Sequence, residues 1–122
     1  MKQFILILSI ILSGFAATAQ QIDKKQLVQK LEKTPILIDI RSTEEYKEGT
    51  IPGAMNLNFH EEEFKNFIMN ISKDKEIIVF CQTGFTSNEA IERLKAEGFA
   101  NVTQLEGGYE KWIEEAPAVK QK

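Results

Sequence analysis

The stretch Ile77-Ile78-Val79-Phe80-Cys81-Gln82-Thr83-Gly84-Phe85-Thr86-Ser87-Asn88-Glu89 decides how this chain folds. Its first four residues are apolar and mostly β-branched, the pattern of a short strand covered on both faces. From Thr86 the pattern changes. Thr86-x-x-Glu89 has the form of a capping box, and Ala90, Ile91 and Leu94 follow at helical spacing until Gly98 stops the run. The helix is therefore expected to begin just after Thr86. Cys81 to Phe85 then bridge a buried strand and a helix N-terminus, with Gly84 free to adopt a positive φ.

The same alternation extends outward on both sides. Asp23-Lys24-Lys25-Gln26 opens a helical pattern that places Leu27, Val28 and Leu31 on one face. Ile36 to Ile40 reads as a second covered strand. Ser42-Thr43-Glu44-Glu45 resembles a capping box before a brief helical turn, and Gly49 to Gly53 form a tight loop. Ala54 to Leu57 reads as a short strand, and Phe59 to Ile71 as a helix carrying Phe64, Phe67 and Ile68. Val102 to Leu105 is a further strand, after which Gly107-Gly108 turn the chain into a last helix over Tyr109 to Glu115. Strands alternating with helices predict an α/β domain with a central, mainly parallel sheet flanked by helices on both faces. Functional groups in such sheets sit at the carboxyl ends of strands, where Cys81 falls.

The 122 residues suffice for one domain. Residues 1–19 read as a secretory signal rather than as part of it. Lys2 supplies a positive start, Phe4 to Phe15 is almost wholly apolar, and Ala17-Thr18-Ala19 has the small residues a signal peptidase needs. The apolar run falls short of the about 20 residues of a membrane span, so cleavage is favoured over an uncleaved anchor. The domain is then residues 20–122, without a stable membrane anchor, exported to a periplasm or the medium. A net charge of −3 argues against nucleic acid as a partner.

A single cysteine in an exported chain forms no internal disulfide, so Cys81 is either inert core or a working thiol. Its loop favours the second. Backbone N–H groups that converge at a helix N-terminus stabilise a thiolate, a terminal persulfide or an oxyanion. Other chemistries lose a needed part. Phosphatase loops have the form Cys-x5-Arg, but Ser87 stands at that position, and the only arginines are Arg41 and Arg93. Dithiol exchange lacks a second cysteine. A Cys–His pair would need His60, the sole histidine, which precedes Glu61-Glu62-Glu63 and reads as a surface residue. No metal or cofactor is expected.

Four segments carry a family resemblance: Leu37-Ile38-Asp39-Ile40-Arg41, Gly49 to Leu57, Val79 to Ser87, and Leu105-Glu106-Gly107-Gly108-Tyr109-x-x-Trp112. In this order and spacing the chain resembles a single-domain rhodanese, a sulfurtransferase module. The resemblance implies a rhodanese-like α/β fold and an active loop that binds sulfane sulfur. Cys81 would be the nucleophile and persulfide carrier. The backbone of Gln82, Thr83, Gly84, Phe85 and Thr86 would cradle the outer sulfur, and the Thr86 and Ser87 hydroxyls would cap the helix or touch substrate. Asp39 and Arg41 would form a supporting charge pair, and Trp112 would belong to the core. The implied partners are a small sulfur donor and a thiol or cyanide acceptor, with a protein partner as a further option. Many family members carry Arg or Lys in this loop; here Gln82, Thr83 and Phe85 are uncharged. Thiosulfate is thereby disfavoured as donor. Phe85 reads equally as an apolar lip to the pocket or as a side chain packed on the neighbouring helix. A non-turnover sulfur-binding or docking module is the alternative to an enzyme.

Overall fold

A computed structural model describes residues 20–115. Its elements in chain order are β1 (Gln21–Ile22), α1 (Lys24–Leu31), β2 (Ile36–Asp39), α2 (Thr43–Glu48), β3 (Met55–Asn56), α3 (Glu62–Met69), β4 (Ile77–Phe80), α4 (Phe85–Ala96), β5 (Val102–Leu105) and α5 (Gly108–Glu114). The five strands form one parallel sheet in the order β1-β5-β4-β2-β3. The expected α/β architecture is the one observed. The signal-peptide reading falls on residues outside the described ones. Among the described residues no helix is long and apolar enough to cross a membrane.

Alternation along β4 builds the two cores. Ile77 and Val79, and beyond them Cys81, face α3 and α4 with Ile38, Phe64, Ile68, Ile91 and Leu94. Ile78 and Phe80 face the opposite layer with Ile22, Leu27, Leu37, Ile51 and Leu105, against which Tyr109 and Trp112 pack. Successive side chains of a strand point to opposite faces, so the parity of β4 directs the Cys81 sulfur to the α4 side. Topology does the rest. The chain runs from β2 outward to β3 and from β4 outward to β5, so the order reverses between β2 and β4. That switch point opens a crevice at the carboxyl ends of these strands.

Local differences from the sequence expectations have physical causes. β1 is only two residues long and is held at the sheet edge by β5, too short to show any periodicity. Val28 is 46% exposed, because α1 buries only Leu27 fully and leaves its flank in solvent. α3 begins at Glu62, leaving Phe59 and Ile71 outside it, partly buried against the core. α2 is capped by the Ser42 hydroxyl, which accepts from Glu45 N–H, as its motif suggested. α4 is capped otherwise: it begins at Phe85, its N-cap is Gly84 at φ +102°, and no side-chain hydroxyl caps it. The left-handed glycine turns the chain into the helix early, which places Thr86 inside the first turn.

Candidate active site

The Cys81 sulfur takes the place of the missing cap. Its Sγ accepts the N–H of Gly84 at 3.0 Å and the N–H of Ser87 at 3.4 Å. Ser87 is the third residue of the helical start, whose N–H an N-cap side chain ordinarily satisfies. The Ser87 hydroxyl lies 3.5 Å from the same sulfur. The thiol is 5% exposed and opens into a cavity of about 240 Å³ lined by Ile40, Arg41, Ser42, Glu45, Asn58, His60, Gln82 and Thr86.

The loop is held from behind by α5. The N–H groups of Tyr109 and Glu110 donate to the carbonyls of Cys81 and Gln82 at 2.8 and 3.0 Å. These are free donors of a helix N-terminus, and Gly107 and Gly108 let the chain enter the helix with φ of +73° and +64°. A Cβ on Gly108 would lie 2.5 Å from the Cys81 carbonyl oxygen. With the Cys81 and Gln82 carbonyls turned toward α5, the trans peptides turn the Gln82 and Thr83 N–H groups away from it.

Asp39 and Arg41 brace the other wall, as the charge pair expected from the sequence. Asp39 is fully buried and accepts from Arg41 Nε, Nη2 and backbone N, and from the Thr50 hydroxyl at 2.8 Å. The remaining guanidinium donors reach the Gly49 carbonyl at 2.6 Å and Gln82 Oε1 at 3.1 Å. The Tyr109 ring covers Arg41 at 4.2 Å. Burial opposes the charge on Arg41, but hydrogen bonds to Asp39 and attraction to Asp39, Glu45 and Tyr109 outweigh it and raise its pKa. Arg41 is therefore a neutralised, structural cation that fixes Gln82.

Of the loop residues read from the sequence, Cys81, Gly84 and Ser87 converge on the sulfur. Thr86 lines the cavity, but its hydroxyl caps nothing. Gln82 and Thr83 are exposed, and Phe85 is 73% exposed, which removes the packed alternative for its ring. His60 is exposed, as expected, although it also borders the cavity. Among the described residues no group of three or more His, Cys, Asp or Glu is placed to hold a metal ion. Sequence reading missed Glu45, Asn58, Thr50 and Gln104. Gln104 in particular is fully buried on β5, with its amide on the Ser87 hydroxyl; a polar residue inside an apolar strand is the signal that pointed to it.

A profile of the Rhodanese-like domain matches residues 23–115. The chain belongs to the rhodanese-like family. This rhodanese-like domain is 38% identical over 90 residues to the thiosulfate sulfurtransferase GlpE of Shewanella oneidensis, covering 73% of this chain and 87% of that protein. It is also 39% identical over 93 residues to a tRNA uridine(34) hydroxylase of Bdellovibrio bacteriovorus, covering 74% of this chain but spanning only 27% of that longer relative. Among solved structures it resembles the human single-domain sulfurtransferase TSTD1, with a TM-score of 0.68, 25% identity, and coverage of 80% of this chain and 97% of that one.

Proposed function

We propose that this rhodanese-like protein is an exported sulfurtransferase that carries sulfane sulfur as a persulfide on Cys81. The observation that carries the reading is the sulfur held by the Gly84 and Ser87 N–H groups at the floor of an open cavity. The Cys81 thiolate attacks the terminal sulfur of a donor. The donor's S–S bond breaks, and its electron pair leaves with the donor thiolate. An acceptor thiolate then attacks the outer sulfur of the Cys81 persulfide, and the Cys81 thiolate is regenerated. One difficult transfer becomes two displacements with no net oxidation.

The donor is a persulfide rather than thiosulfate. The loop contributes no cation, Arg41 is neutralised by Asp39, and Glu45 adds a carboxylate to the cavity wall. A dianion entering there meets repulsion and no counter-charge. Export rests on Lys2, the apolar run and Ala17-Thr18-Ala19; protein secreted from cells should begin at Gln20 by N-terminal sequencing.

The central test is intact mass. Incubation with a low-molecular-weight persulfide should add about 32 Da, one sulfur atom, to the wild type and nothing to Cys81→Ser. Added thiol should then remove it catalytically. A stable adduct that no acceptor discharges would instead support the second reading, a non-turnover sulfur-binding module, which the uncharged loop favours. If no sulfane donor ever loads Cys81, both readings fail.

A further inference from the structure

The Cys81 site continues into the protein as a chain of polar side chains. The Ser87 hydroxyl lies 3.5 Å from the sulfur and 3.0 Å from the Gly84 carbonyl oxygen. It also touches Oε1 of Gln104, whose Nε2 donates to Oδ1 of Asn88. Ser87 and Gln104 are fully buried, and Asn88 is exposed on the first turn of α4. Gln104 shares the parity of Val102 on β5, which aims its amide at the underside of the loop. Were its only task to fill the core, an apolar residue of similar size would do so without burying an amide.

A hydroxyl has one proton and here faces three acceptors: Sγ, the Gly84 carbonyl and Gln104 Oε1. Along this chain of side chains the bonds run outward. The thiol donates to Ser87, Ser87 to Gln104, and Gln104 to Asn88. This order suits a protonated sulfur. A thiolate or a persulfide anion cannot donate; it keeps the Gly84 and Ser87 N–H groups and gains a third donor when the Ser87 proton turns toward it. Gln104 Oε1 would then be left buried and unpaired. An amide offers a donor and an acceptor on one plane, so a half-turn of Gln104 presents Nε2 to Ser87 and Oε1 to Asn88. Asn88, at the surface, turns in the same way and donates through Nδ2.

We propose that Gln104 and Asn88 are positioning residues whose paired amides reverse the Ser87 hydrogen bond so that it meets both the protonated and the anionic sulfur of Cys81. A carboxylate accepts only: at position 88 it holds Gln104 Nε2 outward, and at position 104 it accepts from Ser87 itself, so either one keeps the Ser87 proton turned away from the sulfur. The inference rests on Cys81 being the nucleophile, but not on any particular sulfur donor.

Asn88→Asp tests it from the surface. A carboxylate at position 88 holds Gln104 Nε2 outward and Oε1 on Ser87, so the sulfur loses its hydroxyl donor. An acidic side chain in the first turn of a helix favours the helix dipole, so thermal stability should not fall. The second-order rate of Cys81 alkylation by iodoacetamide, followed by intact mass at fixed pH and high ionic strength, is expected to drop about tenfold, the effect of one charge-assisted hydrogen bond. Gln104→Glu should slow it similarly. In a Ser87→Ala background, Asn88→Asp should change the rate by less than about twofold, because there is no hydroxyl left to redirect. An Asn88→Asp protein that reacts as fast as wild type overturns the inference. So does equal slowing with and without the Ser87 hydroxyl, which would assign the effect to charge alone. Alkylation reads the thiol whether or not any donor loads it, so a failure of sulfur loading and a failure of this relay are told apart.

Discussion

Substituting Gly108 by Ala should break the active loop from behind. Two costs combine. Gly108 has φ +64°, where a side chain costs about 1–2 kcal/mol. The new Cβ would also sit 2.5 Å from the Cys81 carbonyl oxygen and 2.7 Å from the Gln82 carbonyl carbon, both backbone atoms without freedom to swing aside. Helix α5 must retreat, and the Tyr109 and Glu110 N–H bonds to the loop are lost, at about 1 kcal/mol each. The total is about 3–4 kcal/mol, a fall of roughly 12–30 °C in Tm for a domain of this size. Gly53→Ala is the matched comparison. It too has a positive φ, +90°, but nothing lies within 4 Å of its Cβ, so only the backbone cost applies. Thermal denaturation of the two variants measures the difference. Cys81 alkylation, at a temperature where both remain folded, should be slowed only in Gly108→Ala. If the two variants melt together and react alike, α5 does not hold the loop.

Three further outcomes are expected. Asp39→Ala leaves the buried Arg41 guanidinium without its carboxylate and should cost about 3–5 kcal/mol by urea denaturation; an unchanged midpoint would show that Gly49, Gln82 and Tyr109 hold the cation alone. Gln82→Lys places a cation on the loop, and at about 1 kcal/mol for each charge of the thiosulfate dianion its KM for thiosulfate should fall about 30-fold in a cyanide assay; a KM that does not move would refute the electrostatic account of donor choice. Thr103 is buried, and its hydroxyl has no hydrogen-bond partner among the described residues, so Thr103→Val should raise stability by about 1 kcal/mol in the same denaturation experiment.

The sequence disclosed the frame because its strands are covered on both faces. Ile77 to Phe80 is apolar without a break, Val102 to Leu105 is apolar at both ends, and β-branching separates both from helix. Gly84 and Gly98 marked a turn and a stop that require positive φ. What stayed hidden depends on contacts distant in sequence. Thr86-x-x-Glu89 satisfied the local rule for a cap, yet Gly84 turns the chain into the helix two residues earlier, where the sulfur of Cys81 accepts the N–H of Ser87. Arg41 showed its partner Asp39 at close spacing, whereas its bond to Gln82 needs β2 and β4 side by side. Gln104 reaches Ser87 only because β5 lies next to β4 under α4.

The sulfur that caps α4 ties two kinds of mutational damage together. A nucleophile can drift away once activity is no longer selected. Here its loss also strands the Gly84 and Ser87 N–H groups at a buried helix start. A lineage that abandons the chemistry still needs an acceptor atom at this position, which makes Ser or Asp a more tolerable replacement than Ala. A silent descendant of this protein would thus be recognised by a hydroxyl or carboxylate still seated in an intact loop.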